Sequence, residues 1–191
     1  MRMSSVQKRE DVSYADIEAL PPNVVGEIVA GELIVSPRPA GPHARAASSL
    51  GMVLGPPYDF GHGGPGGWLV LDEPELHLPP DVLVPDVAAW RRERMARVPD
   101  DHRFTIAPDW VGEVLSPSTA RFDRTRKMES YARERVKHLW LIDPREKTLE
   151  VLRLDAGRWT VVKNYGDAEG HTLIRAEPFD AVAMDLRLLW T

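Results

Sequence analysis

Two acidic residues in the middle of the chain have the types and spacing needed for metal-assisted phosphate chemistry. Asp86 opens a β-prone run directly after Pro85, and Glu113 lies inside a later β-prone run. Carboxylates on adjacent strands can point into one cleft and bind a hard cation such as Mg²⁺ or Mn²⁺ through oxygen. Because Mg²⁺ keeps several of its waters, two acids and one backbone carbonyl suffice, and the Val114 carbonyl is the predicted third ligand.

A lysine is the third component of the predicted site. Side chains alternate along a strand, so Glu113 and Leu115 share a face. Leu115 occupies the place at which a lysine would complete an acid-x-lysine element. Lys127, on the following helix, can bring its ammonium back to the cleft, where it would orient the attacking water and offset phosphorane charge. Asp123, four residues earlier, either holds Lys127 in place or caps the helix start.

The elements that must position these residues predict an α/β fold, in the wider α+β sense. The run DWVGEVLS, a polar helix with Ser118 or Thr119 as its N-cap, and the apolar run HLWLIDP form a βαβ-like unit. Upstream, VVGEIVAGELIVSP predicts a hairpin that turns at Ala30-Gly31. Downstream, four β-prone runs, the last of them AMDLRLLW, predict an antiparallel meander appended to the central sheet.

Further local signals complete the predicted architecture. Ser13 precedes a short capped helix, residues 43–54 predict a second helix, and the glycine- and proline-rich residues 55–67 predict a loop. We expect a flexible N-terminus over residues 1–12 and a single domain over residues 13–191.

Composition excludes several classes of function. The chain has no cysteine, so thiol nucleophiles and cysteine-rich zinc sites are excluded. The histidines have no paired metal-ligand spacing, and Ser116 lacks the glycine-flanked elbow of a serine hydrolase. No segment approaches the ~20 apolar residues that a membrane span needs, so a cytoplasmic protein without a membrane partner is expected.

The charge distribution permits nucleic acid binding only locally. The net charge of -5 argues against a protein that coats nucleic acid. Residues 121–137 nevertheless hold seven basic and three acidic side chains. This run either positions a phosphate or is a solvated charged face, which is the more common explanation of such runs.

The ordered strings GEIVAGELIVSP, PDVAAW, GEVLSPST, DRTRK and HLWLIDP resemble the Uma family of restriction-endonuclease-like proteins, in the PD-(D/E)XK nuclease superfamily. The resemblance runs from about Val25 to the C-terminus. It implies a restriction-endonuclease-like core with a mixed central sheet flanked by helices, an N-terminal hairpin and C-terminal antiparallel strands. Two departures, Arg135 before Val136 and Leu139 before Trp140, do not touch the predicted site.

The resemblance also implies roles for single residues. Asp86 and Glu113 would be the metal carboxylates, and Lys127 would be the catalytic lysine, moved from strand to helix. One of Glu27 and Glu32 would lie near the cleft as an outer-sphere metal contact, with edge-strand solubility as the equal alternative.

Two more side chains are supporting candidates. His43 lies near the start of the second helix and either touches phosphate or is merely a helix-terminal residue, which is the commoner case. Tyr131 either packs beside the Lys127 stem or belongs to the core.

The predicted function is a Mg²⁺-dependent endonuclease that hydrolyses DNA phosphodiester bonds. Because duplex cleavage takes two cuts and the C-terminal third offers a strand edge, a homodimer is expected. Two alternatives stay open: a catalytically silent binding or scaffold protein with the nuclease fold, and a phosphodiesterase that acts on RNA or nucleotides.

Overall fold

A computed structural model describes residues 5–7, 12–116, 120–166 and 172–190. The strands are β1 (Ser5–Gln7), β2 (Val24–Val29), β3 (Glu32–Pro37), β4 (Trp68–Asp72), β5 (Glu75–Leu78), β6 (Asp81–Leu83), β7 (Val87–Arg91), β8 (Arg103–Phe104), β9 (Trp110–Val114), β10 (His138–Asp143), β11 (Thr148–Asp155), β12 (Arg158–Gly166), β13 (Leu173–Ala176) and β14 (Phe179–Asp185). The α-helices are α1 (Tyr14–Glu18), α2 (Gly41–Leu54), α3 (Ala120–Phe122) and α4 (Met128–Arg133). Gly55–Asp59 and Asp123–Lys127 are π-helical, and Leu186–Leu189 is a 3₁₀ turn. No helix in the described ranges is long and apolar enough to cross a membrane.

The central sheet is mixed, with strand order β12-β11-β10-β9-β7-β4. β9 and β10 are parallel and are joined by the helical residues 120–133, whereas the other neighbouring pairs are antiparallel. Parallel strands need such a crossover, and a strand buried on both faces has the continuous apolar sequence seen in β10. The predicted βαβ unit and mixed sheet are therefore confirmed, and of the predicted appended strands β11 and β12 extend this sheet.

The N-terminal hairpin belongs to a second six-stranded sheet, with order β1-β3-β2-β6-β5-β8. Ala30 and Gly31 turn between β2 and β3 with φ of 52° and 76°. Two successive positive φ angles are typical of the tight turns that match strand twist. The hairpin brings β2, which carries Glu27, beside β6, where Ile28 pairs with Val82.

Alternation along β9 divides its side chains between two cores. Trp110 and Val114 pack on the side of α2, in a cluster that also contains Leu50. Val111 and Leu115 pack on the opposite side, in a cluster that also contains Tyr131 of α4. Glu113 lies between Val111 and Leu115 in this alternation, so it points towards the helical crossover and not towards α2.

Phe179 is the centre of an aromatic cluster under α2. Its ring centroid lies 4.8 Å from those of Tyr58 and Trp68, 5.0 Å from Trp110 and 5.6 Å from Trp140. Rings at these separations add packing energy beyond the apolar area that they bury.

Truncating this ring is expected to be costly. Phe179→Ala should lower the free energy of unfolding by about 3–5 kcal/mol, because it leaves a cavity between rings that cannot collapse fully. Chemical denaturation measures the change. Phe60→Ala is the matched control, since Phe60 is 67% exposed, and an equal loss in both variants would contradict the assignment.

The structure corrects three local predictions. Residues 55–59 continue α2 as a π-helical turn and are not part of the loop. Leu186–Leu189, predicted as strand, is a 3₁₀ turn. β13 and β14 pair with each other as a separate two-stranded ladder and do not extend the central sheet.

Other predictions at the chain ends and in the crossover are not decided. Ser118 and Thr119, the predicted N-cap residues, lie outside the described residues. Ser5–Gln7 pairs with β3, while the flexible N-terminus and the single domain over residues 13–191 stay predictions.

Candidate active site

Glu113 is a buried carboxylate on a central strand of the mixed sheet. Its side chain is 4% exposed, and its Oε1 accepts a hydrogen bond from the Tyr131 hydroxyl at 2.5 Å. The same oxygen lies 2.8 Å from the Lys127 ammonium. Leu141 of the parallel strand β10 is its register partner. Such a charge is costly to bury unless partners of this kind surround it.

Lys127 reaches Glu113 from the crossover after β9, where it was expected, but it does so from a π-helical turn and not from a regular helix. It is 3% exposed, and its Nζ also lies 3.1 Å from Glu27 Oε1 and 4.0 Å from Asp123 Oδ1. Asp123–Lys127 forms the π-helical turn, and both end residues are buried. A wider π turn changes the direction of the side chains after it, and such turns are frequent at functional sites.

Electrostatics keep Lys127 charged. Burial alone would lower the pKa of Lys127, but the carboxylates of Glu113 and Glu27 outweigh it and raise the pKa well above its usual value. The lysine therefore enters any reaction as an ammonium, which can donate hydrogen bonds but cannot accept a proton.

Asp86 occupies the position immediately before β7 and reaches the end of β9. Val87 pairs with Gly112, and this register brings the Asp86 carboxylate to the backbone amide of Val114, which donates to Oδ2 at 2.7 Å. The other oxygen lies 3.3 Å from Nε2 of His43. The structure thus brings Asp86, Glu113 and Lys127 to one place, and their roles there stay predictions.

His43 is directed into the same place from α2. Burial alone would lower its pKa, but the carboxylates of Asp86 and Asp123 and the backbone carbonyl of Val114 outweigh this effect and raise it. His43 lies in the first turn of α2, lines the cavity and contacts Asp86, and its predicted contact with phosphate stays a prediction. Val114 reaches this place through its backbone amide, which donates to Asp86, and the role of its carbonyl as a metal ligand stays a prediction.

The remaining supporting candidates divide into two groups. Glu27 lies at the cleft, where its Oε1 also accepts a hydrogen bond from the backbone amide of Val84 at 2.8 Å. Glu32 lies outside it and pairs with Arg126 at 2.6 Å. Tyr131 is a fully buried core residue, as one of its two interpretations predicted. Its hydroxyl also donates a hydrogen bond to Glu113, which neither interpretation predicted.

These residues line a cavity of about 430 Å³. Glu27, Glu113, Asp123 and Lys127 form its buried floor, and Asp86, whose side chain is 14% exposed, also lines the cavity. Arg38, Arg145 and the proline-rich residues 36–42 lie at its mouth. Arg145 was not among the predicted site residues, although its position in the sequence carried a signal. It follows β10 as Ser116 follows β9, and the carboxyl ends of parallel neighbours lie together at one edge of the sheet.

The floor carries more negative than positive charge. Burial raises the pKa of Glu113 to about 8, against the opposing effect of Lys127, and the neighbouring Asp123, Asp86 and Glu27 raise it further. A divalent cation would offset this surplus. Among the described residues no group of three or more His, Cys, Asp or Glu side chains could hold a metal ion. Asp86, Glu113 and the Val114 carbonyl therefore stay a predicted ligand set, made of oxygen donors that would suit a hard cation that keeps its waters.

The basic run of residues 121–137 is largely neutralised by other parts of the chain. Three of its arginines form ion pairs with acids distant in sequence: Arg124 with Glu150 at 2.5 Å, Arg126 with Glu32 at 2.6 Å and Arg133 with Asp81 at 3.0 Å. Lys127 is buried. Neither earlier interpretation holds for these four residues, because they are neither free for phosphate nor a simple solvated face.

Comparisons with known proteins agree with this fold. The model of the Uma2 family, described as "Putative restriction endonuclease", matches residues 13–187. A crystal structure of "a putative nuclease belonging to DUF820" from Anabaena variabilis is similar, with a TM-score of 0.71 and 22% identity over 94% of this chain and 98% of that one. At this identity the likeness establishes the fold alone, and it confirms the predicted restriction-endonuclease-like core. No curated protein matches the sequence.

Proposed function

The chain belongs to the Uma2 family, and on that premise we propose that it is a Mg²⁺-dependent endonuclease that hydrolyses DNA phosphodiester bonds. The observation that supports the proposal best is the grouping of one ammonium and two carboxylates in a single cavity. Lys127 lies 2.8 Å from Glu113, and Asp86 approaches the next residue of the same strand. An ion pair that served only the solubility of the surface would not need side chains as buried as those of Lys127 and Glu113.

The proposed metal ligands are Asp86, Glu113 and the Val114 carbonyl. A bound Mg²⁺ or Mn²⁺ supplies a Lewis acid for the scissile phosphate and lowers the pKa of a coordinated water. Asp86 is held for this task by the Val114 amide on one oxygen and by His43 on the other side. Outer partners of this kind orient a ligand and tune its affinity.

Lys127 is proposed to act on the water and the phosphate. Its ammonium orients the attacking oxygen and stabilises the negative charge that builds on the phosphoryl oxygens as the new P–O bond forms and the old one breaks. Glu27 and Tyr131 position this pair, because Glu27 fixes the ammonium at 3.1 Å and Tyr131 fixes the Glu113 carboxylate at 2.5 Å. Glu27 is thus proposed as a partner of the lysine, in place of the outer-sphere metal contact.

A catalytically silent scaffold is the second candidate. The ion pair of Lys127 and Glu113 favours it, since this pair satisfies the buried carboxylate without a metal. A calorimetric titration separates the two, because the scaffold predicts no Mn²⁺ binding by the wild-type protein.

The proposal is tested by replacing the more open carboxylate. Asp86→Asn should weaken Mn²⁺ binding by about 10–100-fold, because the amide keeps the shape of the ligand but loses its charge. Calorimetry measures the affinity, and cleavage of labelled DNA measures the activity. Asp180→Asn is the matched control at an exposed position outside the cavity. Unchanged Mn²⁺ affinity in Asp86→Asn would overturn the proposed ligand set.

Several further expectations stay predictions. The homodimer and the cytoplasmic location are inferences from the sequence. DNA is the proposed substrate, and RNA or nucleotides remain the alternative, because a metal site of this composition acts on any phosphodiester.

A further inference from the structure

We propose that the cavity takes a single, unpaired nucleic acid strand, held at its mouth by a phosphate bound to Arg145, and does not take the paired region of a duplex. This inference rests on the proposed function and names its substrate class. The inference follows from three observations: the burial of the reactive groups, the position of the available positive charge, and the residues that line the cavity mouth.

The reactive groups lie at the bottom of a recess. The side chains of Lys127 and Glu113 are 3% and 4% exposed, and even Asp86, the most open of the three, is 14% exposed. Duplex DNA is stiff, with a persistence length of about 50 nm, so its backbone cannot bend locally into a recess without kinking or unpairing. A single strand can extrude one nucleotide, and a cavity of about 430 Å³ is in the range of small-ligand sites.

Among the residues that the structure describes, few cations line the cavity, so positive charge for binding a duplex is scarce there. Non-specific duplex binding needs several Lys and Arg contacts to phosphates. The arginines of the crossover helix that would supply them, Arg124 and Arg126, are paired with Glu150 and Glu32. At the mouth, Arg38 lies 3.4 Å from Glu73. A short contact with one or two phosphates fits this supply of cations, and a long duplex footprint does not.

Arg145 is the cation best placed for that contact. It is exposed, lines the cavity and, within the described part of the chain, has no acidic side chain at ion-pair distance. Its backbone amide donates to Asp143 at 3.0 Å, which fixes the turn after β10. Pro37, Pro39 and Pro42, which also line the cavity and are at least partly exposed, offer rigid apolar surfaces for a sugar or base. A phosphate, an adjoining nucleoside and the metal floor can therefore be contacted together.

The decisive substrate is a DNA hairpin with a long unpaired tail, labelled at both ends and incubated with Mg²⁺ or Mn²⁺. Cuts are expected in the tail only, with the paired stem cleaved roughly 100-fold more slowly, because the stem must first unpair. Using one molecule removes differences in concentration and labelling. Equal or faster cleavage of the stem would overturn the inference and leave the proposed nuclease function standing.

Arg145→Ala should raise KM for the tailed hairpin on the order of tenfold and lower the salt dependence of binding by about one phosphate contact, with kcat little changed. Arg158→Ala, at an exposed position of β12 outside the cavity, is the matched control and should behave as wild type. If Arg145→Ala and Arg158→Ala do not differ in KM and salt dependence, the phosphate contact is wrong. A second contradicting result is a dinucleotide that is cleaved as fast as the tail, at a rate that Arg145→Ala does not change. This result would overturn the inference that the substrate is a strand held through a phosphate on Arg145.

Failure of the chemistry can be told from failure of the substrate class. Fluorescence anisotropy with Ca²⁺ in place of Mg²⁺ measures binding of a labelled single strand and of a blunt duplex. The protein could cleave no substrate and yet bind the single strand more tightly than the duplex, with this difference lost in Arg145→Ala. That combination would reject the proposed endonuclease activity and keep the preference for a single strand. Equal binding of both forms would reject the strand preference.

Discussion

Glu113→Gln is expected to abolish Mn²⁺ binding at the candidate site and to lower DNA cleavage by roughly three orders of magnitude, the effect of losing a metal that stabilises the transition state by several kcal/mol. Glutamine keeps the shape of the side chain and can still accept hydrogen bonds from Tyr131 and Lys127, so the fold should survive. Calorimetry and a cleavage assay measure the two effects. Glu146→Gln, at an exposed position, is the control.

The same variant tests the electrostatics of the floor through stability. Because burial raises the pKa of Glu113 from 4.5 to about 8, the folded protein holds a proton that the unfolded chain has lost in this range. The stability from this group is present below pH 4.5 and is lost as pH rises towards 8. Chemical denaturation in EDTA should therefore show that the free energy of unfolding of the wild type falls between pH 4.5 and 8. The fall should be smaller in Glu113→Gln. Retained Mn²⁺ binding and cleavage in the variant would remove Glu113 from the site.

The strand positions of the site could be predicted because strand geometry is regular. The period of two places Glu113 and Leu115 on one face, and the apolar run of β10 identifies the buried neighbour. What could not be predicted is the way Lys127 returns to that face. The residues DRTRK are compatible with a regular helix as well as with a π-helical turn. The π-helical turn is the form in which Lys127 contacts Glu113 and Glu27.

Ion pairs between arginines of residues 121–137 and acids far away in the sequence limited what could be predicted about function from charge. Counting residues 121–137 gave a positive excess, yet Arg124 and Arg126 are satisfied by Glu150 and Glu32, which are 26 and 94 positions away. Pattern rules describe neighbours along the chain and carry no information on such pairs. The error at residues 55–59 has a local cause, because prolines at the first positions of a helical turn need no backbone donor.

Lys127→Met is expected to lower cleavage by about 10²–10³-fold and to destabilise the protein by about 3–5 kcal/mol. Methionine has a similar length and fills the space, so the loss comes from charge. Glu113 and Glu27 would then face each other in a buried site without their ammonium. Chemical denaturation and cleavage measured on the same preparations give both numbers, with Lys137→Met as the exposed control.

A second substitution separates catalysis from folding. Adding Glu27→Gln to Lys127→Met removes one unpaired buried charge, while the new amide oxygen can still accept the hydrogen bond from Val84. The double variant should regain most of the lost stability, since Glu113 can take up a proton at neutral pH. Its cleavage should stay low, because the ammonium that is proposed to orient the water is absent. If cleavage returns together with stability, Lys127 is a structural counter-ion, and the ammonium has no part in the reaction.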